Sequence, residues 1–143
     1  MSFTPTAATN VVLTLDAAMF LCAQLLGVWK YREIATSDAH AAHLYIDIAH
    51  RAALLYSFAL LMIATFVELS GFSELVNLLA ACAMALYFFL SVAGYALRGY
   101  RKDTDNQFRD AARSLHAYML SLIVVEIGAW LVLVAGFADK QLL

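Results

Sequence analysis

Four histidines are the residues of this chain best suited to chemistry, and three of them fall within DAHAAHLYIDIAHR, Asp38 to Arg51. Residues three, four and seven apart share one face of a helix. At about 100° per residue, His43, Asp47 and His50 lie in a narrow arc, with His40 on its flank and Arg51 beside it. Beyond them the same face continues as Leu54, Ser57 and Leu61, so a polar stripe gives way to an apolar one. A second set follows near the C-terminus, where Arg109, Arg113 and His116 recur at helical spacing and Glu126 lies deep in an apolar run. Imidazoles at such positions can ligate a metal, carry protons or hydrogen-bond.

These groups have to be positioned by elements suited to lipid. Of the 143 residues, 64% are hydrophobic and only 14% charged, against roughly 45–50% and about 25% in soluble domains. The mean hydropathy is +0.77. Four apolar segments stand out, at about Val11 to Val28, Ala52 to Val67, Leu75 to Leu97 and Ala117 to Ala138. A spanning helix needs about 20 residues, and the runs lack the period-two alternation of barrel strands. The expected fold is all-α: one domain over residues 1–143, a four-helix transmembrane bundle in the lipid bilayer. The pattern before Ala52 carries the second helix back to Asp38, beyond the hydrocarbon.

The first segment does not read as a signal peptide, because no basic residue precedes it and Asp16 interrupts it. Cys22 and Cys82 both lie inside apolar runs and read as small buried hydrophobes. Asp16 and Glu126 read either as buried carboxylates kept neutral by desolvation or as partners for polar groups on other helices, with structural pairing favoured over proton handling.

Basic residues set the orientation. Lys30 and Arg32 mark the first connection, and Arg98, Arg101, Lys102, Arg109 and Arg113 surround the third. The second connection, Leu69 to Glu74, has none. Basic loops stay cytoplasmic, so loops one and three are expected inside, with both termini outside. Trp29, Tyr31, Tyr95 and Tyr100 would then form an aromatic belt at the inner interface. Ser37 and Asp38 are expected to cap the second helix, Gly71 and Ser73 to mark the turn into the third, and Thr104 with Gln107 to form a capping box before the fourth. The charged stretch Arg98 to Asp110 reads as a solvated loop, with anionic headgroups as a minor alternative.

Helices two and four begin on the same side, and counted from Asp38 and Asp105 they bring His50 and His116 to nearly equal depth. A zinc site would need three or four converging ligands, and the array here extends along about three helical turns. Haem is the simpler fit, needing one axial histidine, an apolar slot and basic partners for its propionates. His50 or His43 would supply the ligand, with Arg51, Arg109, Arg113 and Lys30 at the level of the propionates.

A resemblance points the same way. Chain size, four helices, Ala49-His50 ahead of an apolar helix, and Leu86-Tyr87-Phe88-Phe89 on the third helix resemble the styrene oxide isomerase and hydroxylaminobenzene mutase group. The resemblance implies a homo-oligomer, specifically a trimer, holding haem b between subunits. Ferric iron would act as a Lewis acid on a small apolar epoxide-like substrate. It also implies that His50 binds the metal and that Tyr87 positions the substrate. The group carries an asparagine six residues after its histidine. Tyr56 stands there in this chain and can serve as a hydrogen-bond donor. Small residues on helices three and four, among them Ala81, Ala85, Gly94 and Gly128, favour helix association. No nucleic-acid partner is expected.

Two other functions fit the residues. With His50 and His116 as paired axial ligands the protein would be an electron-transfer cytochrome b. With no cofactor, Asp16, Asp47, Glu126 and the histidines would belong to a transport or assembly subunit.

Overall fold

A computed structural model describes residues 4–109 and 112–143. They form four helices, α1 (Ala7–Thr36), α2 (Leu44–Leu69), α3 (Glu74–Arg101) and α4 (Arg113–Gln141). All four are long and apolar enough to cross a membrane, and no strand occurs among the described residues. The expected four-helix transmembrane fold is thus the one observed. Helix α2 touches the three others, whereas α4 packs on α2 and α3 without reaching α1.

Small side chains let α1 and α2 approach closely. Ala23, Ala49 and Ala53 are fully buried, together with Val12, Met19, Leu60 and Ile63. In lipid the drive for this contact is close van der Waals packing rather than escape from water. Ala81 and Ala85 extend the same logic to α3. Gly128 faces open space, by contrast, so it packs against nothing within the chain. Helix α4 buries only Leu133 and Gly136 and exposes Leu120, Val124, Ile127 and Leu131.

Carboxylates tie the helix ends together. The first N–H groups of a helix have no partner within it. Thr6 caps α1 by accepting from the Thr9 amide at 3.2 Å. Glu68 accepts from the Thr9 hydroxyl at 2.6 Å and the Thr6 amide at 3.0 Å, and Glu74 accepts from the Ala8 amide at 2.9 Å. At the opposite end, Glu33 accepts from the His43 amide at 2.8 Å and pairs with Lys102 at 2.8 Å. One side chain of α1 therefore joins the start of α2 to the end of α3.

The joints differ in part from expectation. Ser73 does cap α3, its hydroxyl accepting from the Val76 amide at 3.4 Å. Helix α2, however, begins at Leu44 rather than Asp38. Ser37 belongs to the end of α1: its amide donates to Glu33 O, and its hydroxyl closes the following turn on Ala41. His40 takes a left-handed φ of 48°, which ends any continuous helix there. The cap of α2 is His43, whose Nδ1 accepts from the Tyr45 amide at 3.3 Å.

Thr104 and Gln107 likewise do not cap α4. The Thr104 hydroxyl accepts from the Asn106 amide at 3.0 Å, and the Gln107 amide donates to the Tyr45 hydroxyl at 2.6 Å. Helix α4 starts at Arg113, where Ala112 offers no capping side chain. Asp110, the end of the charged stretch, lies outside the described residues. Tyr45→Phe removes the hydroxyl that accepts from the Gln107 amide. It is expected to cost about 1 kcal/mol and to speed hydrogen exchange at that amide, with the spans unaffected.

Candidate functional site

His50 lies on the α2 face against α1. Its Nδ1 is 2.9 Å from the carbonyl oxygen of Ala23. A carbonyl only accepts, so Nδ1 carries the hydrogen, which in the neutral tautomer puts the ring's lone pair on Nε2. Metal-binding histidines are commonly oriented in this way, one nitrogen donating to a carbonyl and the other left for the metal. Gly27 makes room for the ring, since a Cβ there would lie 3.0 Å from its Cε1. Among the four histidines, His50 is the one held inside the bundle.

The other members of the stripe have separate partners. Asp47 forms an ion pair with Lys30 of α1 and a longer one, at 3.5 Å, with Arg51. Lys30 is therefore engaged by a carboxylate. The Arg51 side chain is 71% exposed and retains free donors. His43 is a helix cap and His40 is exposed on the loop. The continuous imidazole face does not form, because the chain leaves helical geometry before His43.

His116 and His50 do not come together. His116 lies in the first turn of α4, exposed, with its ring 6.3 Å from that of Phe108. Counted from the observed helix starts, His50 is the seventh residue of α2 and His116 the fourth of α4. His50 faces α1, which α4 does not touch. Arg109 pairs with Asp105 at 3.2 Å, and Arg113 is exposed at the start of α4. Neither arginine is on the α1–α2 face.

The two tyrosines occupy distinct places. Tyr87 donates to Ser121 Oγ at 2.9 Å, joining α3 to α4. Tyr56 stacks on Phe88 with ring centroids 4.3 Å apart and an interplanar angle of 3°. On α2, Tyr56 follows His50 by six residues, about 9 Å along the axis and about 120° around it. One chain by itself therefore does not aim the two at a common point.

Two cavities meet at Tyr56 and Tyr95. The first, of about 310 Å³, is bordered by Ile48, Arg51, Ala52 and Leu55. The second, of about 290 Å³, lies between α3 and α4 and includes Ser91, Arg98, Gln107 and Tyr118. Tyr95 thus turns into the bundle instead of joining the aromatic belt. Trp29 and Tyr100 do form an edge-to-face pair, with centroids 6.5 Å apart. Sequence reasoning missed this polar seam, although its signal was available: Tyr87, Ser91, Tyr95 and Arg98 are spaced four, four and three apart on α3.

Among the described residues, no three or more of His, Cys, Asp and Glu gather as a metal-binding group. Haem would ask for one oriented imidazole rather than a cluster, and His50 is the imidazole of that kind here. Neither cavity at Tyr56 includes His50, so a macrocycle on that ring would need walls from a second copy. Comparison with protein-family models, curated proteins and solved structures gives no match.

Proposed function

We propose that this integral membrane protein is a haem b-dependent isomerase, with His50 as the metal ligand, working as a homo-oligomer whose neighbouring chain completes the site. The observation that supports the reading is the 2.9 Å contact from Nδ1 to the Ala23 carbonyl, an orientation that would leave Nε2 for a metal. The resemblance of Ala49-His50 and Leu86-Tyr87-Phe88-Phe89 to the isomerase group supports it from a separate direction.

Bound there, ferric haem would supply a Lewis acid to the oxygen of a small apolar epoxide-like substrate. The exposed Arg51 guanidinium is chemically suited to a propionate, and Arg109 and Arg113 remain candidates from a neighbouring chain. Tyr56 supplies a hydroxyl beside an apolar cavity, suited to orienting the substrate oxygen. Tyr87 can take that role only by giving up Ser121. His116, being exposed and remote from α1, leaves His50 as the ligand from its own chain and favours an open site over the electron-transfer alternative.

Absorption spectroscopy of protein expressed with haem supplied tests the proposal. A Soret band at one haem per chain is expected, retained in His116→Ala. Colourless protein, or loss of low-spin features in His116→Ala, rules the isomerase reading out.

The sidedness inferred from the basic loops belongs to this proposal and has its own check. In a Cys22→Ala, Cys82→Ala background, a membrane-impermeant maleimide added to intact cells is expected to label Phe72→Cys and to spare Thr104→Cys. The reverse pattern would invert the topology.

A further inference from the structure

The cavity between α3 and α4 has a chemistry that the haem proposal does not use. At the end nearest the α3–α4 loop lie the Arg98 guanidinium and Gln107. Arg98 Nη1 donates to Gly94 O at 3.2 Å, a bond that leaves most of the fork free. No ion pair engages Arg98 among the described residues. Gln107 is held in position because Tyr45 accepts its amide hydrogen at 2.6 Å. Further in, the Tyr118 hydroxyl is 3.1 Å from Ser91 Oγ. Beyond this pair the wall is mostly apolar, with Leu90, Met119 and Leu122 beside the Tyr56 ring, while Leu115 lies on the loop side and Tyr95 completes the lining.

A partly buried guanidinium is costly to leave without a counter-charge, and its planar fork suits a carboxylate or phosphate. Arg98 also borders a second cavity, of about 410 Å³, whose wall carries Arg101, Asp103 and Arg109, the last paired with Asp105 at 3.2 Å, so an anionic head on Arg98 opens onto a polar, mixed-charge surface. Head and tail requirements are therefore arranged in line: cationic donors at one end and hydrocarbon-lined space at the other. Glu126, one turn beyond Leu122 on α4, is not part of the wall.

The geometry points to a binding site for an anionic amphiphile, its acidic head on Arg98 and its apolar tail between α3 and α4. The head can be that of an anionic phospholipid or of a free carboxylic acid, since both present the same oxygen acceptors to the guanidinium. The site is separate from His50 and does not depend on bound haem.

Photolabelling in phosphatidylcholine nanodiscs tests this, with a diazirine-bearing octanoate as the probe. Adducts are expected on Leu115–Leu122 and near Leu90, suppressed by octanoate but at least tenfold less well by octanamide. Arg98→Gln is expected to reduce labelling about tenfold, the scale of a lost charge-assisted contact, while Arg98→Lys retains most of it. Leu122→Trp fills the apolar end and is expected to abolish labelling without touching the charge. Equal competition by octanamide, or unchanged labelling in Arg98→Gln or Leu122→Trp, overturns the proposal. Adding phosphatidylglycerol to the nanodiscs separates the sources: displacement of the probe identifies the lipid as occupant, and persistence identifies the free acid. His50→Ala is expected to label like the wild type, which keeps this result independent of the haem reading.

Discussion

His50→Ala is expected to purify as a folded membrane protein without the haem proposed for the wild type. The variant removes Nε2, the proposed ligand atom, together with the bond from Nδ1 to Ala23 O. The structural cost is modest, because one hydrogen bond contributes about 0.5–1.5 kcal/mol and the fully buried Ala49 and Ala53 still close α1 on α2. The ligation cost is large, because no second histidine on the α1–α2 face can replace it. Gly27→Val gives an independent approach to the same point. Its side chain would occupy space within 3.0 Å of Cε1 and 3.3 Å of Nδ1, pushing the ring from its seat while leaving the imidazole in the chain. Both variants should lower the haem-to-protein ratio, whereas His43→Ala, which removes only a helix cap, should not. Full occupancy in His50→Ala would disprove the assignment.

Gly99→Val is expected to be the most disruptive single substitution at the loop end of the bundle. A Cβ at position 99 would lie 2.3 Å from Ile46 Cδ1, 2.7 Å from Ile46 Cγ1 and 3.0 Å from the Ile46 backbone nitrogen. Ile46 is fully buried, and its backbone lies in the first turn of α2, so neither group has room to retreat. Overpacking a tight contact costs about 1–3 kcal/mol, occasionally more. The upper end is expected here, because a β-branched side chain meets backbone as well as methyl groups. A fall in thermal midpoint is the readout. The damage should spread to the neighbouring contacts, Glu33 with Lys102 and Tyr45 with Gln107. Gly128→Val, facing open space, should leave the monomer's stability nearly unchanged.

Length and composition alone were enough to read the four spans, because a helix crossing hydrocarbon must be both long and apolar. The helix ends were harder. Ser37 and Asp38 have the right chemistry for a cap, yet the Ser37 hydroxyl has a nearer use in closing the turn after α1. Thr104 and Gln107 have capping-box spacing, but Tyr45, 62 residues before Gln107, claims the Gln107 amide. Local patterns cannot register such long-range competitors. His50 was recognisable as the deepest member of its stripe. Its partner Ala23 O was not, since any residue of α1 offers a carbonyl and only packing selects one. The shared face with His43 and the depth match with His116 both relied on helices starting earlier than they do. The polar seam along α3 carries a fainter signal than the histidines, since tyrosine, serine and arginine at helical intervals are also what an ordinary packed or interfacial face would show.

The Glu33 carboxylate has a consequence for how the chain assembles. All of its partners, the His43 amide and the Lys102 ammonium, are synthesised before α4. The first three helices can thus clasp one another while the remainder is still emerging. The last helix, with little of itself enclosed and no contact with the first, then joins a scaffold that is already complete. An engagement of α1, α2 and α3 ahead of α4 is accordingly the expected order of assembly, checked by whether a chain ending after Asp105 still protects the Glu33–Lys102 contact.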